Sequence, residues 1–226
     1  MTAPAQGLVA LGDSITNGRG EPALGVPAQS WAQWVAEVLE LPFTKLARDG
    51  ALAADVLREL VPRLRGPYDV GCVFVGVNDV RTPAFEAAAF ERALRAIGEA
   101  TAAASGRLAL CTIPADLGRP RAAPKPRQAS AIVRRVAGAL GAAVVDLDDL
   151  AGAPWLLPDA VHPTAVGQLE IADRAARALG APRLPSATVE VHRSRRARGR
   201  FAARHGVLLA RDLRRRALER LRPPSF

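Results

Sequence analysis

Five short apolar runs of strand character, Leu8–Leu11, Phe43–Leu46, Val70–Val75, Leu108–Ile113 and Ala143–Leu147, alternate along this chain with five segments of helical apolar spacing. Those segments are Trp31–Leu41, Ala53–Leu64, Pro83–Ala104, Arg127–Leu140 and Pro163–Leu179. Parallel strands need long crossover connections, and such connections are right-handed. The alternation therefore predicts an α/β fold: a three-layer αβα sandwich around a five-stranded parallel sheet of flavodoxin-like topology. In that topology ligands bind beyond the carboxyl ends of the strands, so functional residues are expected just after strands. Pro83 and Pro163 suit first-turn positions in their helices, and Ser30 suits an N-cap.

At 226 residues, 49% of them hydrophobic, the chain has material for one such domain and a short appendage, not for two large domains. The alternation stops at Pro182, dividing the chain into a body, 1–182, and a tail, 183–226. The net charge of +9 belongs to the tail, where thirteen arginines face only Glu190, Asp212 and Glu219, and the body is close to neutral. Within the tail Pro185–Arg200 has no periodicity and is expected to be a linker. An amphipathic helix is expected after Gly206, with Leu209, Leu213, Ala217 and Leu221 on one stripe, Arg211, Arg214, Arg215 and Arg222 around it, and Pro223-Pro224 ending it. Such a tail is expected to dock on the body or on a second copy, to grip nucleic acid or an anionic membrane with its arginines, or to stay disordered. Its only aromatics, Phe201 and Phe226, argue against base stacking.

No apolar run approaches the length of a membrane span. Met1 is followed almost at once by the first strand, without a basic or long apolar leader, so a cytoplasmic protein is expected. Cys72 and Cys111 sit in apolar strand-like runs without metal-ligand spacing and read as buried free thiols.

Four places after strands carry residues suited to chemistry. Gly12-Asp13-Ser14-Ile15-Thr16-Asn17-Gly18 follows the first strand and puts a serine on a glycine-flanked turn, where its hydroxyl can be exposed beside its own N–H. The spacing fits no P-loop, because five residues separate Gly12 from Gly18 and Arg19 follows. Gly18-Arg19-Gly20-Glu21-Pro22-Ala23 matches a dinucleotide fingerprint in form only, since it starts well past the strand and holds Pro22 in its turn. A Gly-x-Ser-x-Gly elbow is absent. Arg48-Asp49-Gly50-Ala51 follows the second strand and offers a glycine N–H that a ligand can approach closely. Val75-Gly76-Val77-Asn78-Asp79 ends the third strand with an amide, a neutral donor suited to a developing oxyanion. Finally, Leu157-Pro158-Asp159-Ala160-Val161-His162-Pro163 precedes the last body helix, with an aspartate placed to accept from the imidazole and leave its other nitrogen free to take a hydroxyl proton. Taken singly, each has a plain structural explanation: a helix cap, a turn residue, a structural histidine. In one parallel sheet all four converge on one edge.

In this order and spacing the motifs resemble the GDSL, or SGNH, hydrolases, over residues 7–180, and the chain is similar to intracellular bacterial members with an arginine-rich tail. The resemblance implies a Ser14 nucleophile, His162 as base, Asp159 as its orienting acid, and an oxyanion hole made of the Ser14 N–H, the Gly50 N–H and the Asn78 amide. It gives Asp13 and Asp79 supporting roles in the turns. Around Gly50 the chain departs from the family by lacking an asparagine and by placing the charge pair Arg48-Asp49 beside the glycine. The implied activity is hydrolysis of carboxylic esters through an acyl-enzyme, by a short-chain acyl esterase or O-deacetylase, with a lysophospholipid as another substrate class and no metal or cofactor called for. The same residues would serve an acyltransferase, and a protein acting only through its basic tail is the remaining alternative. Asp146, Asp148 and Asp149 read as a solvated loop rather than a metal site. The pocket walls are expected in the loops Asn17–Gln29, Arg81–Pro83, Ala115–Arg127 and Ala151–Pro158, with Trp155 as an aromatic surface and Arg119, Arg121 and Lys125 as cations for a polar or anionic alcohol.

Overall fold

A computed structural model describes residues 7–118, 121–122 and 124–221, without the side chains of 219–221. Arg119, Arg222, Pro223-Pro224, Phe226 and the side chains of Glu219 and Leu221 lie outside the described residues. In chain order the elements are β1 (Leu8–Gly12), α1 (Trp31–Val38), β2 (Phe43–Ala47), α2 (Ala53–Asp55), β3 (Tyr68–Phe74), α3 (Ala87–Ala103), β4 (Ser105–Cys111), α4 (Lys125–Leu140), β5 (Ala143–Val145), α5 (Ala165–Ala178) and α6 (Arg195–Leu221). The five strands pair in parallel in the order β2-β1-β3-β4-β5, the flavodoxin-like order. Helices α1 and α5 pack together on one face, with α2, α3 and α4 on the other. Covered on both faces, β1 is apolar without alternation, and Leu8, Val9, Ala10 and Leu11 are fully buried.

The register decides where the site falls. Gly12, the last residue of β1, lies opposite Ala47 of β2 and Phe74 of β3, so the three strands stop at one level and their following loops meet there. Beyond β3 the chain turns at Gly76 (φ +113), where a Cβ would stand 2.6 Å from Ile113 and 2.8 Å from Phe90. A side chain there has neither the backbone conformation nor the room.

Several local expectations are corrected. The segment 53–64 is not one α-helix: α2 passes into a π-turn, Val56–Leu60, and a 3₁₀ turn, Val61–Arg63. Pro62 has no N–H for the carbonyl four residues back and its ring crowds that carbonyl, so the ladder loosens before it. Helix α3 starts at Ala87 and α5 at Ala165, leaving Pro83 and Pro163 outside both; Thr164 caps α5 by accepting from Gly167 N–H. Ser30 occupies the N-cap of α1 but makes no cap, donating instead to the Thr16 carbonyl at 2.7 Å.

The tail also differs. Helix α6 begins at Arg195, inside the expected linker. The side it turns to the body is not the expected leucine stripe, since Leu209 and Leu213 are 43% and 56% exposed. Ala197, Phe201, His205, Leu208, Asp212 and Arg216, three or four residues apart, are the covered positions among the described side chains. Phe201 packs on the core, Arg204 pairs with Glu21, and His192 N–H donates to the Leu24 carbonyl at 2.7 Å. No described helix is long and apolar enough to cross a membrane.

Candidate active site

Ser14 stands on the turn after β1, and Asp13 sets its shape. Asp13 Oδ1 accepts from Ile15 N–H at 2.9 Å, while Asn17 N–H and Arg19 N–H close on the Asp13 and Ser14 carbonyls, both at 2.9 Å. The Ser14 N–H itself donates to no acceptor among the described residues. A buried amide from α5 holds the turn from below. Gln168 Nε2 donates to the Ile15 and Arg19 carbonyls at 3.0 and 3.1 Å, and its Oε1 accepts from Trp31 N–H at 2.9 Å. One side chain thus ties the serine turn, the start of α1 and the helix that follows the histidine.

His162 reaches the serine from the loop before α5. Its Nε2 lies 3.0 Å from Ser14 Oγ, and its Nδ1 lies 2.7 Å from Asp159 Oδ2. The other Asp159 oxygen accepts from the N–H groups of Val161 and His162, at 2.9 and 3.0 Å. Burial pushes the Asp159 carboxyl up, but the hydrogen bonds from the His162 ring and these two N–H groups outweigh it and hold the carboxyl below its ordinary value.

Gly50 and Asn78 complete the ring of loops. Gly50 has φ +74, an empty space where a Cβ would stand, and an N–H that no described acceptor uses. The charges beside it are turned into ion pairs: Asp49 accepts from Asn17 at 2.9 Å and Arg19 at 2.6 Å, and Arg48 pairs with Asp55 and Glu59. Asn78 Nδ2 donates to the Ala51 carbonyl at 3.1 Å and to Asp13 Oδ2 at 3.3 Å. Asp79 accepts from Ala53 N–H with both oxygens, at 3.2 and 3.1 Å, pinning the Gly50 loop to the Asn78 loop. Burial pushes the Asp79 carboxyl up, and it pushes Asp13 up to about 7 against the lowering effect of the Ile15 N–H.

Every residue expected at the site is therefore brought to one sheet edge: Ser14, Gly50, Asn78, Asp159 and His162 with Asp13 and Asp79 behind them. Residues 10–169 match the model of the GDSL-like Lipase/Acylhydrolase family. The chain belongs to that family. It is a GDSL-type serine hydrolase that acts on ester bonds. The fold is similar to that of LAE5, an α/β hydrolase from the metagenome of Lake Arreo, Spain, with a TM-score of 0.62 and 21% identity over 79% of this chain and 97% of that one. A point variant of Axe2, an acetyl xylan esterase from Geobacillus stearothermophilus, aligns at 0.61 and 20% identity over 80% and 97%. The acetyl xylan esterase AlAXEase aligns at 0.60 and 23% over 76% and 98%. No curated protein matches.

Two of the expected wall loops line this GDSL-type site, Asn17–Gln29 through Arg19, Gly20 and Glu21 and Ala151–Pro158 through Leu157 and Pro158, but Arg121, Lys125 and Trp155 do not. Arg121 pairs with Asp116, and Lys125 donates to the Thr82 carbonyl at 2.7 Å, so neither faces His162. Trp155 lines a separate cavity with Leu24, Val191 and Phe201. The groove that does open on His162, about 450 Å³, has Leu157 and Pro158 on one side and Leu208, Arg211 and Arg215 of α6 on the other. Sequence reasoning missed both this wall and Gln168. The signal for Gln168 was a polar side chain on the apolar face of α5 formed by Ala165, Leu169 and Ala172. Asp146 and Asp148 share Arg134, and Asp149 pairs with Arg174. Burial pushes the Cys72 thiol up to about 12 and Cys111 well above its ordinary value, which leaves neither thiol as a nucleophile at neutral pH.

Proposed function

We propose that this hydrolase cleaves carboxylic esters of short acyl groups through a Ser14 acyl-enzyme. The observation that carries the reading is the continuous chain Ser14 Oγ, His162 Nε2, His162 Nδ1, Asp159 Oδ2, with links of 3.0 and 2.7 Å. Asp159 accepts the Nδ1 proton, so Nε2 is the free base. It takes the Ser14 proton as the hydroxyl attacks the carbonyl and returns it to the departing alkoxide. Water then repeats the sequence on the acyl-enzyme. The negative oxygen of each tetrahedral state is held by the Ser14 and Gly50 N–H groups, which have no other acceptor among the described residues, and by the Asn78 amide, which gives up its longer bond to Asp13. The acetyl xylan esterases of similar fold support a short acyl group.

The test is hydrolysis of a chain-length series of p-nitrophenyl esters by the wild type and Ser14→Ala, with the acyl-enzyme sought by mass spectrometry. Serine-dependent turnover that peaks at short chains, with a label on Ser14, is the expected result. Turnover that survives Ser14→Ala would refute the assignment.

A further inference from the structure

The groove on His162 has an unusual far wall. Its near side belongs to the body, but Leu208, Arg211 and Arg215 come from α6, beyond the segment 10–169 that matches the family. The helix is fixed there by the burial of Ala197, the packing of Phe201 on the core and the Arg204–Glu21 pair. Two of these anchors, Ala197 and Phe201, lie outside the groove lining, and the third ends on Glu21, which belongs to it.

The charges around the groove are almost all spoken for. Glu21 pairs with Arg204, Asp159 holds His162, Arg19 pairs with Asp49 at 2.6 Å, and Asp212 is shared by Arg215 and Arg216. Among the described residues, Arg211 is the groove guanidinium without a carboxylate partner. A guanidinium fork matches the planar oxygens of a carboxylate, and equally those of a sulfate or phosphate. The apolar side chains of Leu157 and Leu208 line the same groove. One groove thus combines the imidazole, hydrocarbon and a guanidinium without a carboxylate partner among the described residues.

Chemistry fixes which half of the substrate lies there. The imidazole that protonates the departing alkoxide must face it, so the alcohol half occupies the His162 side and the acyl oxygen the Gly50 side. We infer that α6 is the alcohol-side wall of the substrate site and that Arg211 selects esters whose alcohol moiety ends in an anionic group. The inference rests on the ester-hydrolase reading and adds the substrate class to it.

The experiment compares kcat/KM for para-acetoxybenzoate and para-acetoxybenzenesulfonate with that for the neutral methyl para-acetoxybenzoate. Intrinsic differences in leaving-group reactivity cancel when the anionic-to-neutral ratio of each variant is divided by that of the wild type. Arg211→Ala should lower this ratio about fivefold, the upper end for a solvent-exposed ion pair, and Arg211→Glu should lower it further. Arg211→Lys should restore part of the ratio for both anions. Arg214→Ala, on the outer side of the same helix, is the control and should leave it unchanged. Added salt should erode the wild-type ratio but not that of Arg211→Ala. A ratio for Arg211→Ala within twofold of wild type overturns the inference, while a ratio lost for only one of the two anions restricts it to the other's chemistry and supports it in that form. If the neutral ester is not hydrolysed in a Ser14-dependent way, the ester-hydrolase reading fails instead. Binding of para-hydroxybenzenesulfonate, followed by calorimetry in wild type and Arg211→Ala, then decides the anion site without turnover: weaker binding in the variant supports it, and equal binding overturns it.

Discussion

Replacing Asp159 by asparagine changes one atom and should nearly abolish turnover. The two oxygens of Asp159 have different duties. Oδ1 accepts from the N–H groups of Val161 and His162, at 2.9 and 3.0 Å, and Oδ2 faces His162 Nδ1 at 2.7 Å. An amide at this position must keep its oxygen on the two N–H groups, because its NH2 cannot accept from them. The NH2 is then directed at Nδ1, which becomes an acceptor, and the ring proton moves to Nε2. A protonated Nε2 donates to Ser14 Oγ across the 3.0 Å gap and can no longer receive its proton. The loss expected from such a reversed tautomer is about 10⁴ in kcat, as in other Ser-His-Asp triads, or about 5 kcal/mol of barrier. Stopped assays on p-nitrophenyl acetate, with a circular-dichroism melt to confirm folding, measure it. KM should change far less than kcat. An asparagine variant that keeps a tenth of wild-type kcat would show that the Nδ1–Asp159 bond does not set the tautomer, and the proton path argued from these distances would fall with it.

Three further outcomes follow from the geometry. Asn78→Ala removes one oxyanion donor and should cost roughly 10²–10³ in kcat with little change in KM; unchanged kcat would take Asn78 out of the oxyanion hole. Gln168→Ala strands the Trp31 N–H and the Arg19 carbonyl and leaves the Ile15 carbonyl with the Gly18 N–H as its one donor, so urea unfolding should show about 3 kcal/mol less stability, and a loss under about 1 kcal/mol would contradict the staple. Asp13 binds its proton more tightly folded than unfolded, with its value raised from 3.8 to about 7, so its contribution to stability falls as pH rises through that window. Measured by denaturation at each pH, the stability of Asp13→Asn relative to wild type should rise across the same window, and parallel curves would refute the raised value.

The sheet and its active edge were legible because both are written in local sequence. A strand covered on both faces must be apolar throughout, as β1 is, and turns that present side chains need residues such as Gly76 and Gly50 at fixed offsets. Ser14, Asn78, Asp159 and His162 stood out because each follows a strand or precedes a helix in a recognisable pattern, and the fold brings them to one edge. Gln168 did not stand out, since its partners lie up to 153 residues away and no local signal names them. Helix α6 was misread for a related reason. Leucine spacing suggested which side would be covered, but the body offers Glu21 and the surface around Leu24, which select Arg204, Phe201 and Ala197 instead. The break at Pro62 was readable from proline chemistry; the form of the loosened turn was set by packing against the neighbouring helix and sheet.

The Gln168 tie has a consequence for how the enzyme dies on heating. A serine turn held only by its own backbone bonds could fray while the sheet stayed intact, and activity would vanish well below the melting transition. Here the turn shares its anchor with α1 and α5, two helices that pack on each other across one face of the sheet. Opening the turn means prising that layer apart. Thermal inactivation and global unfolding should therefore share a single midpoint, and the protein should remain a competent catalyst almost up to the temperature at which it ceases to be folded.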